Sequence, residues 1–162
     1  MGAVQVNRFQ RNRWVRGALR AAATGLGAGY CPVAPGTAGT LVALPLWYWT
    51  GGWGIRHLLL LAGVLLLSVP AARQVMETTG KPDPGPVVID EIAGMLFAAT
   101  GIPWGVWPAV LLFLLFRFFD IFKFGPAAWF NARHGPAFVV ADDLAAGACA
   151  ALAYRGIAWL TG

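Results

Sequence analysis

Long apolar stretches, separated by glycine and proline, constrain this chain more than any other feature of its sequence. Each has about the length of a short membrane helix, although several fall below the ~20 residues that a straight span needs. They cover residues 37–49, 57–72, 87–102, 108–122 and 138–159. We therefore expect an all-α fold, a small polytopic membrane helix bundle with four or five spans and with broken or short helices.

The amino-acid composition favours a membrane setting over a water-soluble one. Apolar residues make up 58% of the chain and charged residues 12%, whereas soluble domains contain about 25% charged residues. Such a chain has too few polar residues to cover a surface that faces water. A soluble all-α domain is therefore the weaker alternative.

Basic residues are concentrated before the first apolar stretch, and this asymmetry predicts a topology. The chain has 12 Lys and Arg residues and a net charge of +5, and five of its arginines lie within residues 1–20. Beside a membrane body, such a segment binds anionic lipid rather than nucleic acid and faces the cytoplasm. We expect residues 1–20 to form a basic cytoplasmic tail and residues 21–162 a single membrane-embedded domain.

Acidic residues occur in clusters inside otherwise apolar sequence. A carboxylate at the centre of a membrane helix is disfavoured by ~2.5–3.5 kcal/mol, so these side chains must face the bundle interior, a polar cavity or the interface. Carboxylate oxygens without cysteine or several histidines favour Mg²⁺ over zinc. Helix capping is the alternative explanation for the first pair. The clusters are Asp90 with Glu91, Asp120, and Asp142 with Asp143.

Asp120 lies between two basic residues at helical spacing. Arg117, Asp120 and Lys123 are three positions apart and therefore share one helix face. Charge neutralisation would explain this group if it stood alone. Beside the other acids, we expect Asp120 to bind metal while Arg117 and Lys123 hold phosphate oxygens.

A segment rich in glycine and proline, residues 25–40, precedes and enters the first apolar stretch. Its glycines expose backbone N–H groups, and a helix that begins near Gly36 and Thr37 would favour a phosphate there. The Gly-Lys-[Ser/Thr] ending of a Walker loop is absent, and close helix packing is the alternative explanation. His134 is the last candidate site residue. It could donate a proton to the alkoxide that leaves when a phosphate ester is cleaved.

Two known phosphatase motifs are absent, and their absence reduces the number of possible catalytic mechanisms. Cys31 has no arginine six residues later, as a cysteine-phosphatase loop requires, and no Asp-x-Asp-x-Thr run marks an aspartyl-phosphate enzyme. The acids are therefore expected to position a metal ion and activate water. Direct attack by a carboxylate remains the alternative.

Four of these stretches, in this order and spacing, cover most of the chain beyond the basic tail. They are Pro35-Gly36-Thr37, residues 90–95, residues 117–123 with Trp129-Phe130 after them, and His134-Gly135 leading to Asp142-Asp143. As an ordered set they resemble the phosphatidylglycerophosphatase A family. The sequence departs from the family pattern at Phe124-Gly125-Pro126, at Asn131 and at Pro136-Ala137-Phe138.

The resemblance implies a Mg²⁺-dependent, multi-pass enzyme of the bacterial inner membrane with its active site facing the cytoplasm. Such enzymes act in phospholipid biosynthesis, where they remove the terminal phosphate of phosphatidylglycerophosphate to give phosphatidylglycerol. Carried over by position, the metal-binding and catalytic acids are Asp90, Glu91, Asp120, Asp142 and Asp143.

Three rival functions make different demands on the sequence. A divalent-cation transporter or channel could use the same carboxylates, but it would spread them across the membrane depth. A CDP-alcohol phosphotransferase requires an Asp-Gly-x-x-Ala-Arg start, which is absent from this chain. A purely structural subunit would leave five intramembrane acids unexplained.

Overall fold

The structure is a computed structural model that describes residues 13–82, 84–123, 126–132 and 135–161. These residues contain no β-strand, so the predicted all-α fold is confirmed. A short 3-10 helix, Ala28–Tyr30, precedes the second α-helix. The α-helices are α1 (Arg13–Ala23), α2 (Pro35–Thr50), α3 (Gly54–Thr79), α4 (Ile89–Ala99), α5 (Val106–Phe122), α6 (Pro126–Asn131) and α7 (Pro136–Thr161).

All five predicted apolar stretches form helices, and these differ widely in length. Helices α3 and α7 have 26 residues each and are long and apolar enough to cross a membrane. Helices α2, α4 and α5 have 16, 11 and 17 residues. The expectation of short helices is therefore confirmed, while the number of spans stays a prediction.

Part of the predicted basic tail is helical. Residues 13–20 belong to α1, which packs against α3, and residues 1–12 lie outside the described residues. The arginines of α1 are exposed, whereas Leu19 and Ala22 pack against a small apolar cluster beside α3. This segment is therefore an amphipathic helix docked on the bundle.

Glycine and proline set the ends of the helices as the sequence indicates. Helices α2 and α3 end at Gly51 and Gly80, whose φ angles are 71° and 69°. Glycine adopts this left-handed conformation without the steric penalty that a Cβ brings. The proline-rich residues 84–88 between α3 and α4 are not helical, since two closely spaced prolines there remove several helical hydrogen bonds. The single prolines Pro45 and Pro70 are accommodated within α2 and α3.

Helix α4 lies at the centre of the bundle, and nine of its eleven residues are buried. It crosses α7 closely because Gly94 and Gly147 meet at the crossing: a Cβ on Gly147 would collide with the Gly94 carbonyl oxygen. Small residues allow such close approach of membrane helices. Asp90 and Asp143 lie four residues before these glycines and so on the same helix faces. The crossing therefore brings the two aspartates together.

Gly147→Ala is expected to lower the free energy of unfolding by about 1–3 kcal/mol, because the added methyl group would push α7 away from the backbone of α4. Gly156 lies in the same helix with open space around it, so Gly156→Ala is the control and should be neutral or slightly stabilising. Thermal unfolding in detergent measures both variants. Equal melting temperatures would show that the crossing tolerates the methyl group.

Buried polar contacts close the end of the bundle opposite to the acidic residues. The His57 ring lies 2.8 Å from the Thr50 hydroxyl through Nδ1 and 3.0 Å from the Leu96 carbonyl oxygen through Nε2. Trp47 Nε1 donates a hydrogen bond of 3.0 Å to the Ile102 carbonyl oxygen. Because these buried groups have partners within the bundle, we assign His57 a structural role.

Candidate active site

A cavity of about 370 Å³ brings the three predicted acidic clusters together. It lies where the first turns of α2 and α4 meet the end of α5 and the start of α7. Gly36 contributes backbone to its wall. The charged residues that line the cavity are Asp90, Glu91, Asp120, Lys123, Asp142 and Asp143.

Three of the five acids converge closely enough to share one cation. Asp90, Glu91 and Asp143 each offer a carboxylate oxygen, and these oxygens lie within 4.8 Å of one another. Asp90 and Asp143 are only 5% and 3% exposed. Carboxylates this close and this buried repel one another strongly unless a cation or bound protons balance them.

The carboxylate of Glu91 supports a metal site at this triad, which consists of Asp90, Glu91 and Asp143. Its Oε2 atom is buried and has no hydrogen-bond partner among the described residues. A buried carboxylate oxygen without a partner is strongly disfavoured unless a ligand satisfies it. The triad offers only oxygen ligands, the type that Mg²⁺ prefers, so these residues fit that ion.

Helix capping does not account for the first acidic pair. Val88 occupies the capping position of α4 and makes no side-chain capping hydrogen bond. Asp90 and Glu91 follow in the first turn, where negative charge is favourable. The backbone N–H of Glu91 donates a hydrogen bond of 3.2 Å to Asp90 Oδ1, which leaves other carboxylate oxygens of the pair to face the cavity that both residues line.

The remaining two acids are paired with basic side chains. Arg117 Nη1 lies 2.5 Å from Asp120 Oδ2, and Lys123 Nζ lies 2.6 Å from Asp142 Oδ2 and 3.4 Å from Asp120 Oδ1. The shared helix face that spacing predicts for Arg117, Asp120 and Lys123 is therefore present. Charge neutralisation accounts for these contacts. The metal-binding role predicted for Asp120 and Asp142 stays a prediction, as does the phosphate-binding role predicted for Arg117 and Lys123.

Lys123 links α5 to α7 across the cavity. It ends α5 with a φ of 46° and its backbone N–H bonds to the Phe119 carbonyl oxygen. Burial disfavours its ammonium group, but the hydrogen bond that it donates to Asp142 and the nearby charges of Asp143 and Asp120 raise its pKa above the usual value. Lys123 is therefore a permanent cation beside the triad.

Lys123→Met is expected to lower the free energy of unfolding by about 2 kcal/mol, because it leaves Asp142 without its cation, whereas Asp120 keeps its contact with Arg117. The effect should be smaller than for a fully buried ion pair, since the side chain is 29% exposed and solvent screens the interaction. Lys81 is exposed, so Lys81→Met is the control for thermal unfolding. A Lys123 variant as stable as this control would show that the acids do not depend on the ammonium group.

The start of α2 packs against the acids through Gly36. A Cβ on Gly36 would collide with Glu91 Oε1 and would lie 3.1 Å from Arg117 Nη1. The Thr40 hydroxyl donates to the Gly36 carbonyl oxygen at 2.8 Å and accepts from Arg117 Nη1 at 3.5 Å. Gly36 therefore allows α2 to approach Glu91 closely, and Thr40 ties α2 to the arginine that holds Asp120.

The remaining predicted site residues are two phosphate-binding candidates, Thr37 and Arg117, and one candidate proton donor, His134. Thr37 lies in the first turn of α2, and neither Thr37 nor Arg117 belongs to the cavity wall as far as the described part of the chain defines it. His134 lies outside the described residues, although its neighbour Gly135 lines the cavity. The roles predicted for these three residues stay predictions.

Sequence reasoning misses the residues that set the distances within the site. From the sequence, Thr40 is a possible hydroxyl donor in the glycine-rich segment, but its contact with Arg117 is not anticipated, and nothing singles out Gly94 or Gly147. The signal for the two glycines is that each follows an acidic residue, Asp90 or Asp143, by four positions. An acid and a small residue at this spacing mark one helix face that both packs closely and carries charge.

Comparisons with known proteins agree on one family. A family model described as Phosphatidylglycerophosphatase A matches residues 21–158. The chain is 34% identical to the phosphatidylglycerophosphatase A of Escherichia coli (strain K12), over 86% of this chain and 84% of that protein. The enzyme of the same name from Haemophilus influenzae is 33% identical over 76% of this chain and 79% of its own length.

A further relative is named after a different lipid substrate. A protein of Bacteroides thetaiotaomicron, provisionally named a phosphatidylinositol-3-phosphatase, is 33% identical over 86% of this chain and 92% of its own length. No solved structure shows significant similarity to the chain.

Proposed function

The chain belongs to the phosphatidylglycerophosphatase A family, and from this we propose that it hydrolyses the terminal phosphate monoester of phosphatidylglycerophosphate. The products are phosphatidylglycerol and inorganic phosphate. The observation that carries the proposal is the convergence of Asp90, Glu91 and Asp143 in one buried cavity within the matched region. Hard oxygen ligands of this kind suit phosphate chemistry that a divalent cation assists.

Mg²⁺ is the cofactor that this donor set favours, and the triad would hold it. When bound, Mg²⁺ supplies positive charge for the phosphate oxygens and acidifies a nearby water molecule. The unpartnered Glu91 Oε2 and the mutual closeness of the three carboxylates support this assignment. Asp120 and Asp142 stay outside the triad and serve mainly to position the basic side chains.

The basic side chains of the site would act on the phosphate group. Lys123 reaches into the cavity from the end of α5, where its ammonium group can donate a hydrogen bond to a phosphate oxygen. Arg117 holds Asp120 and contacts Thr40, so it fixes the position of that acid. Attack by water on phosphorus breaks the bond to the lipid oxygen, and the leaving alkoxide must take up a proton. His134 is our proposed donor of that proton.

The distribution of charge and tryptophan supports an inner-membrane enzyme whose site faces the cytoplasm. The basic residues Arg73, Lys81 and Lys123 lie toward the end of the bundle that holds the cavity. The exposed tryptophans Trp53 and Trp107 lie at the starts of α3 and α5, at the opposite end. Positive charge on the cytoplasmic side and tryptophan at an interface are the expected pattern.

Phosphate release from three lipids tests the proposed substrate. Purified protein in detergent with Mg²⁺ would be given phosphatidylglycerophosphate, phosphatidylinositol 3-phosphate and phosphatidic acid at equal surface concentration. We expect the highest kcat/KM on phosphatidylglycerophosphate. A preference for the inositol lipid would reassign the substrate within the same chemistry, and no release from any of the three would favour the cation-transporter alternative.

A further inference from the structure

A second cavity, of about 680 Å³, forms a groove between α1 and the second half of α3. Its walls are mainly apolar, with Val15, Leu19 and Ala22 from α1 and Leu67 and Pro70 from α3. None of the residues of the candidate active site lines it. An open apolar groove of this size on a membrane protein is suited to a lipid acyl chain.

The rim of this α1–α3 groove is charged in a way that complements an anionic headgroup. Arg16 and Arg73 are both exposed and both line the groove, against one carboxylate, that of Glu77. Gln74 also lines it, and its Oε1 atom is buried without a hydrogen-bond partner among the described residues. The groove therefore combines apolar walls with net positive charge and a hydrogen-bond acceptor that a lipid hydroxyl could satisfy.

A shallow depression of about 470 Å³ shares lining residues with both the groove and the catalytic cavity. The depression shares Arg73 and Glu77 with the groove and Pro82 with the catalytic cavity. Lys81 lies along it and adds a further positive charge. The depression, with its two basic residues Arg73 and Lys81, therefore adjoins both the apolar groove and the cavity that holds the acids.

We propose that the α1–α3 groove is the docking site through which the substrate lipid reaches the catalytic cavity. An acyl chain lies between α1 and α3 while the phosphorylated headgroup passes Arg73 and Lys81 toward Pro82. The occupant is an anionic phospholipid, because apolar walls and a basic rim together match that class of molecule. This inference rests on the proposed function, since it assigns the route of that substrate.

Arg73→Gln tests the basic part of the path. We expect KM for long-chain phosphatidylglycerophosphate in mixed micelles to rise about fivefold, the typical contribution of one arginine to anionic lipid binding, with kcat unchanged. Arg56 lies in the same helix at the opposite end and is also exposed. Arg56→Gln is therefore the matched control and should leave KM unchanged. An equal effect of both variants would overturn the proposed route.

Ala18→Phe tests the apolar part, since Ala18 is exposed and lines the groove. The phenyl ring should fill the groove and raise KM for long-chain substrate severalfold, with a smaller rise for the dihexanoyl form of the same lipid. Equal KM changes for the two chain lengths, or none, would overturn the inference while leaving the proposed function intact. No hydrolysis of either form by the unmodified protein would instead contradict the proposed function.

Discussion

Asp143→Asn is expected to lower the rate of phosphate release by about three orders of magnitude, because it removes one of three charges that would hold Mg²⁺. Asp143 is almost fully buried and its carboxylate meets those of Asp90 and Glu91 across the α4–α7 crossing. Asparagine keeps the shape of the side chain, so the loss should occur in protein that still inserts and folds. The measurement is kcat at saturating lipid over a range of Mg²⁺ concentrations.

Asp142 provides the matched control because it is the adjacent residue and carries the same charge. It lies outside the triad and contacts Lys123 Nζ at 2.6 Å. Asp142→Asn should therefore reduce kcat by only about tenfold, in the range seen when supporting residues of a metal site are changed, and leave the Mg²⁺ requirement unchanged. If the two variants behave alike, the division of the acids into a metal-binding triad and an ion-paired set is wrong.

Gly36→Ala is expected to reduce kcat about a hundredfold, since misplacement of reacting groups by about 1 Å has effects of this size. The new methyl group would displace the Glu91 carboxylate, the Arg117 guanidinium or the start of α2 itself. Gly63 lies within α3, and a methyl group added there would have no atom within 4 Å. Gly63→Ala should therefore keep full activity and act as the control.

The activity and stability of Gly36→Ala distinguish a role of Gly36 at the active site from a role in helix packing. Full activity of Gly36→Ala would show that α2 need not lie against Glu91. The glycine- and proline-rich residues 25–40 would then serve only helix packing. A loss of activity with unchanged thermal stability would place the effect at the site. If Gly36→Ala unfolds, Thr40→Val replaces it as the test, since it removes the hydroxyl contacts to Arg117 and to the Gly36 carbonyl oxygen. Lower activity of folded Thr40→Val would then place the effect at the site.

The helices of this protein follow from its sequence because apolar runs and helix-ending residues coincide. Each of the five stretches begins or ends near a glycine or proline, and α2 and α3 end at Gly51 and Gly80. The meeting of the acids in one cavity also follows from the sequence, since carboxylates in apolar helices must face a polar interior. Within the described residues, the charged side chains of the cavity wall all belong to the predicted set.

The sequence could not predict which acids form the triad and which pair with basic side chains, because this depends on how the helices cross. Asp142 and Asp143 are neighbours in sequence, yet Asp142 lies 2.6 Å from Lys123 Nζ, whereas Asp143 belongs to the triad and lies 3.9 Å from the same nitrogen. The arginines of α1 suggest a tail and so obscure its amphipathic nature. The spacing of Val15, Ala18, Leu19 and Ala22 is the helical signal that could have revealed the groove.

The most direct experiment measures phosphate release from phosphatidylglycerophosphate with Mg²⁺, after chelation and after Mg²⁺ is restored. The triad of Asp90, Glu91 and Asp143 predicts release that stops with chelator and returns with Mg²⁺. Release that continues at the same rate after complete removal of divalent cations would show that the triad does not hold a catalytic metal ion. Absence of release from folded protein supplied with Mg²⁺ would show that the protein does not hydrolyse this lipid.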